Sequence, residues 1–165
     1  MVRFTCLVAA LLLPCLAGAA EPAPKADRVL IDKSERSLSL YAGERKLASF
    51  WVSLGADPVG RKQCRGDNRT PEGRYYVAGR KENSDFHRAL RLSYPSAEDV
   101  ERARARGCEP GGDIMIHGLK NGWPGKTGRL HLLRDWTRGC VAVTNEEIER
   151  IWAMVPDGIV VEIRK

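Results

Sequence analysis

Residues 135–143 read DWTRGCVAV. A polar turn ending at Gly139 leads into Cys140 and an apolar run, Val141-Ala142-Val143, which is short enough to be a buried strand rather than a helix. The chain changes character directly afterwards. Thr144, with Glu147 three residues on, has the pattern of a capping box and predicts a helix over NEEIERIWAMV. Pro156, Asp157 and Gly158 then turn the chain into a last strand, IVVEIR.

Upstream of this stretch, DIMIHG (113–118) is a second short apolar strand, which delivers His117 at its end and turns away at Gly118. Between the two strands lie a glycine-rich loop, LKNGWPGKT, and one or two helical turns over RLHLLRDW. Further back, SAEDVERARARG reads as a helix capped by Ser96, supported by Asp99 and stopped by Gly107. RVLID, SLSLY and KLASFWVSLG predict a strand and a hairpin turned by AGER, and RYYVAGR and RALRLSY add further strands. The segment 56–73, ADPVGRKQCRGDNRTPEG, is dense in Gly, Pro and Asp and is expected to be a long loop rimming a site. The sum is a mainly β, α+β architecture: one domain over residues 28–165 with two or three short helices.

The first twenty residues, MVRFTCLVAALLLPCLAGAA, combine an early cation at Arg3, an apolar stretch and a small-residue end, the pattern of a secretory signal peptide. The stretch is too short for a membrane span, and Pro14 ahead of Cys15 disfavours a lipidation site. Residues 21–27 read as a linker. The expected product is an exported, periplasmic domain. Removing the leader takes away one cation and no anion from a chain of net charge +6. A mildly basic exported domain suits an anionic partner such as a cell-wall polymer or a membrane surface. Nucleic acid is not expected as a partner, because no Lys/Arg stripe is interleaved with aromatic residues.

Two of the five cysteines leave with the leader, so Cys64, Cys108 and Cys140 remain. An odd number in an oxidising compartment suggests one bridge and one free thiol. Cys64 and Cys108 sit among loop-forming residues and are the expected pair, which leaves Cys140. The alternative is three reduced cysteines with Cys140 as a small buried hydrophobe.

A thiol acts as a nucleophile when a base is within reach and its surroundings favour thiolate. Among three histidines, His87 reads as a surface residue and His131, among leucines, as a structural imidazole. His117 ends a strand, and Cys140 opens another 23 positions later, so two strand ends of one sheet can bring base and nucleophile together. Backbone N–H groups of Gly139 and Cys140 are candidate oxyanion donors. Arg138 is placed to lower the thiol pKa or bind a substrate carboxylate, and Thr137 to bond the turn or the base. The scattered His and Cys residues do not have metal-ligand spacing.

At these residues the sequence resembles the L,D-transpeptidases, the YkuD-type catalytic domain of bacterial cell-wall enzymes. IMIHG, TRGCVAV, RTPEGRY and LSYP carry the resemblance, which spans about Val29 to Ile163. The family's commonest motif has His where this chain has Arg138 and a polar residue where it has Ala142; a branch with DWT-x-GC is closer. The resemblance implies a β-rich fold, no cofactor, Cys140 as nucleophile and His117 as proton donor and acceptor. It also implies substrate contacts at Arg138, Thr137, Gly118 and Tyr94. Peptidoglycan stem peptides would be the substrate, with a second stem, a wall-anchored protein or water accepting the acyl group. The last case corresponds to an L,D-carboxypeptidase or amidase. A sortase-like enzyme shares the His-before-Cys order but uses a protein sorting motif, and papain-like enzymes reverse the order. A non-catalytic wall-binding module with a buried Cys140 is the remaining reading. Rapid alkylation by iodoacetamide near neutral pH is expected of a low-pKa exposed thiol and not of a buried one.

Overall fold

The computed structural model describes residues 24–123 and 128–165; the signal-peptide and lipidation readings on residues 1–20 lie outside them. Eight strands form one mixed sheet: β1 (Arg28–Asp32), β2 (Ser37–Ala42), β3 (Arg45–Trp51), β4 (Gly73–Ser84), β5 (His87–Leu92), β6 (Met115–His117), β7 (Val141–Ala142) and β8 (Val160–Arg164). Their order across the sheet is β3-β2-β1-β8-β4-β5-β6-β7. The pairs β1–β8 and β6–β7 are parallel, and the other pairs are antiparallel. Alternation along β1, β2 and β8 sends Val29, Ile31, Leu38, Leu40, Val161 and Ile163 into the core. The expected mainly β, α+β domain is what forms.

Two helices complete the fold, α1 (Ala97–Ala105) and α2 (Asn145–Met154), and each begins with the capping box the sequence announces. Ser96 accepts from Asp99 N at the start of α1, and Thr144 accepts from Glu147 N at the start of α2. The helical turns over RLHLLRDW are a short 3₁₀ helix, Gly128–Leu133. α2 packs Ile148, Ile151 and Met154 against the core.

Two sequence expectations are corrected. The strand CVAVT shrinks to Val141–Ala142, because Cys140 is still in the turn and Thr144 already caps α2. β4 extends past Arg80, the end of the expected strand RYYVAGR, to Ser84, with register shifts at Val77/Gly79 and Lys81/Ser84, so its polar end pairs with β5. The end of the 21–27 linker is docked: Ala26 is buried, its N–H donates to Met154 O at 2.7 Å, and Lys25 Nζ reaches Ala153 O.

The sheet closes on itself at one place. Beyond β3 the chain pairs with β7, with Ser53 N donating to Ala142 O and Ala142 N to Ser53 O, both at 2.9 Å. One step further, Thr137 N donates to Leu54 O and Ala56 N to Thr137 O. Asp135 locks this seam. One carboxylate oxygen accepts from Leu54 N at 2.9 Å, and the other accepts from Arg36 Nε and Nη2. Replacing Asp135 by Ala leaves a buried N–H without its acceptor and removes an ion pair whose carboxylate is itself buried. Asp135→Ala is therefore expected to lower stability by about 2 kcal/mol in urea unfolding, and a change within experimental error would show that the seam does not depend on this carboxylate.

Candidate active site

The parallel register between β6 and β7 places Ile116 beside Val141 and His117 beside Ala142. Side chains alternate across strands, so His117 and Cys140 project from the same face of neighbouring chain segments. Both line one cleft of about 750 Å³, together with Met115, Asp113, Trp136 and Arg138. The β4–β5 hairpin supplies another wall through Lys81, Asn83, Ser84, Asp85 and Phe86. His87 begins β5 at positive φ and bonds Glu149 on α2, with Nε2 to Oε1 at 2.6 Å, so it ties the hairpin to the helix and does not join Cys140. His131 is buried, as the sequence predicts, and its carbonyl accepts from Ser53 Oγ.

The His117 ring is 4% exposed. Phe86 tilts against it at 4.5 Å between centroids, and Trp136 meets it edge-on at 5.9 Å. Nδ1–H donates to Gly118 O at 2.7 Å, so the neutral ring presents Nε2 as its acceptor nitrogen. Burial pulls the imidazole down to about 4, only partly opposed by the Gly118 bond. At neutral pH the ring is an uncharged base.

Cys140 is the free thiol, half-buried, with Sγ–H directed to Asp113 O at 3.5 Å. Burial pushes this thiol up, Asp113 adds to the effect, and Met115 N–H and Lys62 oppose it. The expectation of a thiolate favoured by Arg138 is corrected. Arg138 is exposed on the cleft rim, and what sets the thiol is its burial. Cys64 and Cys108 form the expected disulfide, with Cα atoms 5.8 Å apart.

Thr137 occupies itself with the turn. Its hydroxyl donates to Cys140 O at 2.7 Å and accepts from Gly139 N at 3.1 Å. Gly139 N–H is thereby taken out of the expected oxyanion pair, which leaves Cys140 N–H of the two. Glycine is required at 139 for backbone reasons: φ is +126°, and a Cβ there would lie 2.6 Å from Arg69 O. Gly118 is buried and does not line the cleft, so its expected substrate contact is replaced by its carbonyl's hold on His117. A side chain at 118 would collide with Asn145 Oδ1, which accepts from Leu119 N and so fixes the chain leaving β6. Tyr94 is likewise corrected. It is a core residue whose hydroxyl donates to Pro110 O at 2.8 Å and whose ring packs edge-on against Tyr75, away from the cleft.

Phe86, Trp136 and the exposed Trp123, which tilts against Trp136 at 5.2 Å between centroids, were not singled out by the sequence reading. Trp136 lies within the decisive motif and could have been noticed there. Phe86 sits in a hairpin turn whose position becomes visible only once β4 and β5 pair.

Comparison with known proteins follows the same lines. The family model of the L,D-transpeptidase catalytic domain, YkuD, matches residues 26–163. The putative L,D-transpeptidase YafK of Escherichia coli K12 is 33% identical over 139 residues, covering 80% of this chain and 48% of that protein. The helical cell shape determining protein Pgp2 of Campylobacter jejuni superposes with a TM-score of 0.66 at 25% identity, over 86% of this chain and 48% of that one. An L,D-transpeptidase from Mycobacterium smegmatis, 12% identical with a TM-score of 0.54 over 85% of this chain and 59% of its own, shares the fold. The chain thus spans about half the length of YafK and Pgp2.

A neutral thiol beside a neutral imidazole has a measurable signature. Iodoacetamide is expected to alkylate Cys140 several-fold more slowly than free cysteine at pH 7, with a rate that climbs only at a higher pH than for an ordinary thiol. His117→Gln should change this little; fast alkylation at pH 7 that disappears in His117→Gln would reveal a resting thiolate–imidazolium pair instead.

Proposed function

We propose a reaction for this chain from one premise: it belongs to the L,D-transpeptidase (YkuD) catalytic-domain family. The chain is a periplasmic cysteine acyltransferase acting on peptidoglycan stem tetrapeptides, at the bond between diaminopimelate and the terminal D-alanine. The observation that carries this reading is the placement of Cys140 and His117 on one face of neighbouring segments in one cleft. Among the described residues no helix is long and apolar enough to cross a membrane, which is compatible with a periplasmic setting.

In the first step Cys140 Sγ attacks the diaminopimelate carbonyl as its proton moves to His117 Nε2. Because His117 is neutral and the thiol is held in its protonated form, this transfer accompanies S–C bond formation and does not precede it. The negative oxygen that develops is met by Cys140 N–H. Collapse breaks the C–N bond, His117 returns the proton to the departing amine, and D-alanine leaves a thioester on Cys140. In the second step an acceptor amine of another stem or of a wall-anchored protein gives its proton to His117 and attacks the thioester. Collapse forms the new amide and returns the proton to sulfur. Water in place of the amine releases a shortened stem, which is the carboxypeptidase outcome of the same intermediate.

The rim supports a carboxylate-rich peptide as ligand. Lys81, Lys120 and Arg138 outnumber Asp85 and Asp113 around the cleft, so its field favours anionic stems. The Trp123–Trp136 shelf offers apolar surface beside those charges.

Tetrapeptide muropeptides incubated with the purified chain, with and without an added amine acceptor, are expected to lose D-alanine, and mass spectrometry of the products separates amide formation from hydrolysis. Cys140→Ser should abolish turnover while leaving circular dichroism and the unfolding midpoint unchanged. The sign of the pH effect follows from His117: above about pH 4 the ring accepts a proton, and below it the ring is already protonated. The acidic limb of kcat/KM should therefore lie near pH 4, and a limb near pH 6.5 or full activity in Cys140→Ser would refute the assignment.

A further inference from the structure

Arg28, Arg61, Arg74, Arg164 and Lys165 converge on one open basin of about 730 Å³. Arg28 opens β1, Arg61 lies in the loop before β4, Arg74 stands at the start of β4, Arg164 ends β8, and Lys165 follows it. The strand register brings most of them together. β8 runs between β1 and β4, with Val160 opposite both Arg28 and Tyr76, and with Glu162 opposite Arg74. Alternation sends Val161 and Ile163 into the core, so Glu162, Arg164 and the flanking Arg28 and Arg74 share the other face of the sheet. The basin has no lining residue in common with the cleft at Cys140. The two lie at opposite ends of β4, with Gly73 and Arg74 lining one and Lys81, Asn83 and Ser84 lining the other.

The carboxylates of the basin are fewer and mostly committed. Glu72 accepts from the buried Lys33 Nζ at 2.8 Å and Glu162 from Arg164 Nε at 2.8 Å, which leaves Glu44. Arg28, Arg61 and Arg74 have no ion pair and donate no side-chain hydrogen bond among the described residues. Arg61 is nonetheless half-buried. Arg28 is held over the Tyr41 ring at 4.3 Å, a contact that orients the guanidinium without neutralising it. Glu162 registers the resulting field: the Arg164 bond first, and then the charges of Arg164, Arg28 and Arg74, hold its carboxyl below the ordinary range. Cations gathered without counter-charges repel one another and cost stability. An anion that settles among them relieves that repulsion.

We propose that this basin binds a phosphate-bearing polyanion, at a site separate from the cleft and independent of the acyl transfer proposed above. Arginine dominates its cations, and the planar guanidinium fork bonds two oxygens of one oxyanion at a time. Arg28 and Arg74 reach the basin from either side of β8. A phosphate spreads its oxygens in three dimensions and so accepts from forks that approach from different directions, whereas a planar carboxylate is largely occupied by one. The spread of uncommitted arginines over β1, β4 and the loop before it suits a chain with repeated phosphates better than a single small ion. The apolar lining is Val160, half-buried, and Ile163, buried. Neither offers an exposed side chain for insertion into a bilayer, which favours a polymer over a membrane surface.

The test titrates inorganic polyphosphate calorimetrically into the full chain, with poly-L-glutamate of matched charge as a carboxylate control and phosphatidylglycerol vesicles as a membrane arm. Polyphosphate is expected to bind several-fold more tightly than poly-L-glutamate and to weaken as salt rises. Arg28→Gln with Arg74→Gln, and separately Arg61→Gln with Arg74→Gln, are each expected to lower its affinity at least about tenfold. Arg104→Gln with Arg106→Gln removes the same charge from the exposed end of α1 and should change the affinity little. Bound polyphosphate should leave the iodoacetamide alkylation rate of Cys140 unchanged, because it sits at the other end of β4. No binding, equal affinity for the two polymers, equal losses in the basin and α1 variants, or protection of Cys140 by polyphosphate overturns the site. Binding to the vesicles in preference to polyphosphate overturns it as well, since the partner is then a bilayer.

Discussion

Two backbone hydrogen bonds between Ser53 and Ala142 close the sheet, and the geometry of the site depends on that closure. Without it β7 would be a two-residue edge strand held only by β6, and Cys140 would begin a loop. With it, the segment from Asp135 to Ala142 is gripped on one side by β6 and on the other by residues 53–56. Thr137 tightens the remaining slack by bonding both Gly139 N and Cys140 O, and Gly139 lets the turn press against Arg69 O. Cys140, the proposed nucleophile, is thus held by scaffold on both flanks, which limits the conformational freedom of its backbone.

The same packing sets the electrostatics. Phe86 and Trp136 keep water from the His117 ring, and burial pushes imidazole and thiol toward their neutral forms. A neutral thiol is a poor target for oxidants and for disulfide exchange, and the chain's two other described cysteines are already joined to each other. The arrangement therefore keeps the sulfur in its protonated form. Nδ1, held by Gly118 O, fixes which ring nitrogen takes the proton.

Much of the fold was legible because its signals are local. Capping boxes at Ser96 and Thr144, alternation in β1, β2 and β8, and the strand ends at His117 and Gly139 each lie within a few residues of chain. The cysteine pairing was legible from parity and loop composition. The misreadings share a different cause. Tyr94 and Gly118 belong to family-like segments, but a tyrosine's direction and a glycine's neighbours depend on tertiary packing that no short window contains. Gly139 N–H was assigned to the oxyanion on the strength of its position, and a hydroxyl two residues earlier captured it. The thiol's direction of shift is not legible from the nearby Arg138, because its largest cause is burial, which tertiary packing sets.

Every group assigned here to the acyl-transfer chemistry lies within the span matched by the family model, residues 26–163. Thiol, imidazole and rim cations are brought together by residues of this span. Under the proposed reaction, with a thioester on Cys140, the choice between amine and water would turn on the acceptor's charge state. An amine must shed its proton to attack, and the cations of the rim lower an ammonium's pKa in the direction that favours this. Water needs the neutral imidazole as base, which His117 provides across the neutral range. On that proposal both acceptors would be served by the same pair of groups, and the partition between them would turn on how long an amine stays seated beside the thioester.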